Sequence, residues 1–259
     1  MSRVDENLVA LVRLFSRLPL PADRWPHQQL ALNQALWLIA PMGIILGSIA
    51  AAVTLVFYLI GVPALLLGLI WFATMIALTG ALHEDGLADV ADGFWGGNDI
   101  ARRLEIMKDS GLGSYGMLAL LFSVLLRAGA LGLIMAQASG WQGLLSAVIF
   151  AGVSRAMLTP LWALTSPARA DGLARHVGQP SRTAMGQALV TAAAISLALL
   201  FVINIGHWLM LAGALALLSA GFLRLVVAKI GGHTGDTLGA QQQLGECLLW
   251  VMLAGFTAA

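Results

Sequence analysis

Four carboxylates fall within nine residues at Glu84, Asp85, Asp89 and Asp92, in the stretch HEDGLADVADGFWGG that runs from His83 to Gly97. They follow directly on an uncharged run from Gln28 to Leu82. Acids crowded against an apolar helix are costly unless a cation or water compensates them. On a helix, Asp85, Asp89 and Asp92 are spaced i, i+4, i+7 and share one face. Glu84 lies about 100° away. Like charges stacked on one face repel, so the face is stable mainly with something positive against it. Magnesium suits such a face, because it is hard, prefers oxygen and is commonly held by one or two carboxylates together with substrate phosphates. Thiolate-binding metals do not suit it, since Cys247 is the one cysteine and lies far away in sequence. The alternative is a solvated acidic helix end. Gly86, Gly93, Gly96 and Gly97 border the acids and would let backbone approach a ligand closely, which favours metal and phosphate.

Asp89 and its neighbours must be positioned by membrane helices. Of 259 residues, 59% are hydrophobic and only 10% charged, with a mean hydropathy of +0.86. Soluble domains carry about 25% charged residues. The composition predicts an all-α, polytopic membrane bundle forming a single catalytic domain over 1–259. Apolar stretches of about 20 residues give about seven transmembrane helices, near 34–60, 63–82, 116–138, 141–165, 185–204, 207–228 and 242–258. Before them, Leu8, Leu11, Val12 and Phe15 recur at helical spacing, which predicts a short amphipathic helix on the membrane surface within 1–24. Met1–Asp23 has no signal-peptide pattern.

Charge then orients the bundle. The N-terminus, 83–115, 166–184 and 229–241 are charged, whereas Gly61–Val62, Ser139–Gly140 and Ile205–Gly206 are short and uncharged. The positive-inside rule places the charged set in the cytoplasm. A multi-pass protein of the bacterial cytoplasmic (inner) membrane follows, with its active site in the cytoplasmic segment 83–115. A second cytoplasmic polar segment lies at 229–241. The uncharged outer connections argue against a transporter. The formal net charge of +1 gives no basis for a nucleic-acid partner.

Further polar groups can serve the same site. Arg102, Arg103 and Lys108 are candidate phosphate contacts, as is Ser114 in the glycine-rich loop Ser110–Gly116 opening the third span. Arg127 and Arg155 lie midway along apolar spans, where a central Arg costs about 2.5–3.5 kcal/mol unless it faces a polar cavity or a carboxylate. In KIGGHTGDTLG, Asp236 can complete a metal site, His233 can accept a proton or donate to a phosphate, and Thr234 can meet the substrate. His27, His176 and His207 read as bystanders. The sequence Asp85-Gly86-Leu87-Ala88 recurs at Asp171–Ala174, a match short enough for chance.

HEDGLADVADGFWGG, followed by RRLEIMKDSGLGSYG and GGHTGDTLGA, resembles the cobalamin synthase family, adenosylcobinamide-GDP ribazoletransferase. FSRLPLP and PARADGLA are also similar to that family, so the likeness runs from Phe15 to about Glu246. The family commonly has a basic residue where Gly111 stands, and that phosphate contact does not carry over. The resemblance implies a last-stage step of cobalamin biosynthesis. A ribose hydroxyl of α-ribazole, or of its 5′-phosphate, attacks the cobinamide-linked phosphate of adenosylcobinamide-GDP, and GMP leaves. It also implies Mg2+ as cofactor. Metal ligands are then expected at Asp85, Asp89, Asp92 and Asp236. Glu84, Asp85, Asp89 or His83 would act as catalytic groups. Arg102, Arg103, Lys108, Ser114, Arg155, His233 and Thr234 are expected on the substrate side. Rival readings are a CDP-alcohol phosphotransferase-like lipid enzyme and a non-enzymatic corrinoid transporter or scaffold. Homo-oligomer formation, or association with other corrinoid enzymes, is left open.

Overall fold

A computed structural model describes residues 3–20, 32–137, 139–169 and 178–258. His27, His176 and the repeat at Asp171–Ala174 lie outside the described residues. Those residues form helices, with one isolated β-bridge between Pro167 and His233. In chain order the helices are α1 (Arg3–Phe15), α2 (Ile39–Leu59), α3 (Ala64–Thr79), α4 (Leu82–Gly96), α5 (Ile100–Ile106) and α6 (Ser114–Gln137). Then follow α7 (Gly140–Ala156), α8 (Leu158–Leu164), α9 (Arg182–Ser196), α10 (Ile205–Ile230) and α11 (Gly235–Ala258). Helical turns over 32–38 lead into α2.

Five segments are long and apolar enough to cross a membrane: Asn33–Leu59, Ser114–Gln137, Gly140–Leu164, Arg182–Phe201 and Ile205–Ile230. Taking α3 and α4 together as one bent span gives six. The expected seven are therefore not reproduced, for two physical reasons. The 63–82 stretch forms a helix of only 16 residues, and the chain then turns through 91° into α4. Helix α4 thus leaves α3 at right angles rather than prolonging it. The 242–258 stretch is part of a 24-residue helix. Gln241, Gln242, Gln243 and Glu246 make that helix too polar to qualify, yet all four are buried among other helices. The amphipathic α1 turns its apolar face to the protein: Leu11, Val12 and Phe15 are buried in the common core.

The turn between α3 and α4 uses two left-handed residues in succession, Gly80 at φ 65° and Ala81 at φ 59°. Glycine adopts this conformation freely, whereas alanine there costs about 1–2 kcal/mol. Arg17 wraps the turn. Its backbone N–H donates to Leu78 O at 2.7 Å, and its side chain lies where a Cβ on Gly80 would stand. Phe15 stacks on His83 with ring centroids 6.0 Å apart. The chain after α1 thus clamps the corner from which α4 emerges.

A buried ionic cluster sets the rotation of α4. Arg127 on α6 is 1% exposed and lies 3.5 Å from Glu84 on α4 and 3.3 Å from Glu246 on α11. Its Nε donates to Ser123 O at 3.1 Å, and its guanidinium covers the Phe72 ring at 4.7 Å. Gln243 donates to Glu84 at 3.0 Å, and Gln242 donates to Glu246 at 2.8 Å and to Ser154 at 2.9 Å. Removing one member of a buried pair costs about 3–5 kcal/mol, because the remaining charge has no compensation.

Two outcomes follow for the purified protein in detergent. Gly80→Val places a β-branched residue in the left-handed region and against Arg17, so its melting temperature should fall, while Ala81→Gly should match or exceed wild type. An unchanged Gly80→Val would remove the corner from the account. Arg127→Leu should lower stability by about 3–5 kcal/mol, and adding Glu84→Gln with Glu246→Gln should recover much of the loss. A triple variant no more stable than Arg127→Leu would show that unpaired carboxylates are not the cause.

Candidate functional site

Residues 84–92 are helical, and α4 sorts its acids by direction. Asp85 is exposed, Asp89 half-buried, and Glu84 and Asp92 are buried. Glu84 points into the ionic cluster, where it meets Arg127 and Gln243. His83 also faces the interior at 2% exposure, with Nε2 unpartnered. Burial, then the positive charges of Arg155 and Arg127, hold its pKa well below the usual histidine value. Asp85 and Asp89 face the other way.

Their partner comes from the far end of the sequence. Helix α4 crosses the start of α11 so closely that a Cβ on Gly86 would stand 2.7 Å from the carbonyl oxygen of Asp236. A Cβ on Gly239 would stand 3.2 Å from His83 Cα. Only glycine permits backbones to approach in this way. Asp236 thereby joins Asp85 and Asp89. Burial, followed by the negative charges of Asp236 and Asp85, pushes the Asp89 carboxyl from 3.8 up to about 7. The Asp236 carboxyl is also raised by burial, against the opposing pull of Arg169 and Thr234.

The GGHTGD turn is built to present Asp236. His233 N–H donates to Ser166 O at 2.9 Å, and Ala168 N–H donates to His233 O at 2.8 Å. These bonds pin the turn to the chain after α8. Thr234 begins α11: its N–H donates to Thr237 Oγ1 at 2.9 Å, and Thr237 N–H donates to Thr234 Oγ1 at 3.3 Å. This is a reciprocal cap made with two threonines. Thr234 Oγ1 also donates to Asp236 Oδ2 at 3.1 Å. His233 is 1% exposed, with Nδ1 3.0 Å from Thr165 Oγ1 and Nε2 unpartnered.

Asp92 does something else. Gly113 and Gly116 N–H groups donate to its two carboxylate oxygens at 2.8 and 2.9 Å. An acid from α4 thus caps α6, where the helix dipole and the free N–H groups favour negative charge. The glycine-rich loop proposed for a substrate anion already holds this internal one. Ser114 remains exposed beside it.

The basic candidates separate as well. Arg103 donates to the carbonyls of Gly97, Asn98 and Lys229 at 3.0–3.2 Å, so it clasps α5 to the end of α10. Lys229 donates to Phe94 O at 2.9 Å, closing the same junction. Arg102 is exposed and paired with Glu105 at 2.7 Å. Lys108 is exposed just beyond α5. Arg155 is 2% exposed within the bundle and donates to Ala151 O at 2.7 Å. His207 is half-buried at the start of α10, stacked on Phe256.

One residue at the acidic group escaped the sequence reading. Arg169 Nη1 lies 3.7 Å from Asp236, and Nη2 donates to Leu104 O at 2.8 Å. In sequence it is one more cation after a span, and only the fold brings it to the acids. Gln242 and Gln243 were also missed, although polar residues at the head of an apolar helix are a visible signal.

Comparison with known proteins identifies the family. The family model described as cobalamin-5-phosphate synthase matches residues 7–254. The chain is 39% identical over 245 residues to the adenosylcobinamide-GDP ribazoletransferase of Rhizobium etli, covering 94% of each chain. It is 40% identical over 250 residues to that of Azorhizobium caulinodans, covering 95% of this chain and 94% of the relative. The enzyme of the same name from Xanthobacter autotrophicus is 40% identical over 249 residues, with 94% of each chain covered. No solved structure matches. With a single family model spanning almost every helix and both polar segments, the chain belongs to the cobalamin-5-phosphate synthase family.

Proposed function

We propose that this chain joins adenosylcobinamide-GDP to α-ribazole, or to α-ribazole 5′-phosphate, and releases GMP. The family and the names of the relatives supply the substrates. The observation that carries the chemistry is the meeting of Asp85 and Asp89 on α4 with Asp236 on α11, beside Arg169. The reaction takes place on the cytoplasmic face of a bacterial cytoplasmic membrane. Short uncharged connections at the opposite end of the helices support that orientation.

Magnesium fits these residues. Among the described residues, no three His, Cys, Asp or Glu side chains form a ready-made cage. Mg2+ is commonly held by one or two carboxylates, with the rest of its shell taken from substrate phosphate and water. Asp85 and Asp236 are the proposed ligands, hard oxygen donors that Arg169 alone does not neutralise. Asp92 is assigned to capping α6. Bound Mg2+ would neutralise charge on the diphosphate and on departing GMP.

The remaining steps fall to the protein. The ribose hydroxyl oxygen forms a bond to the cobinamide-linked phosphorus, and the bond from that phosphorus to the GMP oxygen breaks. Asp89 accepts the hydroxyl proton, because its raised affinity for protons lies near working pH. Arg169 holds Asp236 in place and adds positive charge beside the phosphates. His83 and Glu84 keep α4 seated from inside the bundle rather than touching substrate.

Asp89→Asn should cut turnover by about 10^2–10^4-fold at saturating Mg2+, with GMP release as the readout and a melting temperature equal to or above that of wild type. Asp85→Asn should mainly raise the Mg2+ concentration needed for half-maximal rate. Normal turnover by Asp89→Asn would sink its role as base.

The carboxylate cluster also predicts how stability depends on pH. A carboxyl raised in the folded state favours folding below its unfolded pKa, and that advantage is lost as pH rises through the folded one. Chelator-treated protein should therefore melt at progressively lower temperature as pH rises from 3.8 to about 7, then level off. Asp89→Asn should flatten that slope. A wild-type slope identical to that of Asp89→Asn would show that Asp89 is not crowded by its neighbours.

A further inference from the structure

A groove of about 480 Å3 opens between α9 and α10, floored by residues of α7, α8 and α11. None of its lining residues belongs to the acidic group. Its size falls within the range of about 300–1,000 Å3 for small-molecule sites. The walls are apolar, with Leu189, Leu199, Leu211, Leu215 and Leu249 among them. Helices α9 and α10 lie in segments that qualify as membrane spans, so hydrocarbon rather than water would fill a gap between them.

Ser196 and Trp208 line the groove hydrogen-bonded to each other. Two further polar groups break the lining, and their order is informative. Arg224 is exposed and lines the groove near the end of α10, on the face that carries Asp236. Among the described residues no carboxylate pairs with it. Ser219 lies five residues earlier, about 7.5 Å deeper at 1.5 Å per residue. It is 6% exposed, lines the same groove, and its Oγ has no hydrogen-bond partner. A buried hydroxyl normally has one. From the mouth inward the groove therefore presents a cation, a hydrogen-bond donor and an apolar channel.

We propose that this groove is a binding site for one anionic glycerophospholipid. The headgroup phosphate meets the Arg224 guanidinium, a glycerol-ester carbonyl accepts a hydrogen bond from Ser219 Oγ, and one acyl chain fills the channel. Charge at the mouth selects anionic over zwitterionic headgroups, since basic residues at a membrane surface attract anionic lipid. The site is independent of the proposed reaction and would exist whatever the chain's substrate.

The test uses the intact protein in nanodiscs of phosphatidylcholine and phosphatidylglycerol, then extraction into detergent and lipid counting by native mass spectrometry. Wild type should keep about one phosphatidylglycerol per chain after washing. Ala216→Phe, which fills the channel, should lose it. Arg224→Gln leaves the channel open and should still keep a lipid, with the preference for phosphatidylglycerol reduced about fivefold. Retained lipid with the bulk composition of the disc would overturn the proposal, as would equal retention by Ala216→Phe and wild type. It would also fall if disulfide trapping at Ala216→Cys joined two chains across the groove with no lipid retained.

Discussion

Arg127 sits where three helices must agree. It belongs to α6, and its guanidinium reaches Glu84 on α4 and Glu246 on α11 inside the bundle. An arginine so deeply buried is tolerable only while both carboxylates are present, and each carboxylate only while Arg127 is. The glutamines of α11 complete the arrangement by donating to the same acids. Because Glu84 is held on the inner side of α4, Asp85 is forced to the outer side and Asp89 follows one turn later. The charge that looks least like chemistry is thus the one that aims the chemistry.

The corner at Gly80 and Ala81 is the second condition. A straight continuation of α3 would carry the acids along the apolar direction of the bundle. The 91° turn lays them across its end instead. There Gly86 lets α4 touch the first turn of α11, and Asp236 arrives within electrostatic reach of Asp89. Like charges so placed raise one another's proton affinity. The Mg2+ and the phosphate-bearing substrate proposed above would meet this crowding, and the proposed role of Asp89 as proton acceptor rests on it.

The acidic cluster shows how the same residue type can serve different ends within two turns of helix. Glu84 is an internal counter-ion, Asp85 and Asp89 are the outward group, and Asp92 caps α6 through Gly113 and Gly116. Helical spacing put Asp92 with the outward acids. Its neighbours decided otherwise, because the start of α6 offers unsatisfied N–H groups that a carboxylate stabilises. Arg103 likewise read as a phosphate ligand and proves to be occupied by three backbone carbonyls.

Much was legible without coordinates. Composition determined a helical membrane protein, local charge determined which connections carry the polar groups, and i, i+4 spacing placed Asp85 and Asp89 on one face. The long motifs determined the family resemblance, which the comparisons bear out. These are properties of neighbours in the chain, where hydropathy and helical period act directly. Tertiary structure alone decided that 63–82 stops short and turns, that α11 hides a polar face, and that Arg169 stands beside Asp236. It also separated Glu84 and Asp92 from their acidic neighbours. Such outcomes depend on partners as many as 159 residues apart, as Glu84 and Gln243 are, and no local pattern records a contact between segments that meet only after folding.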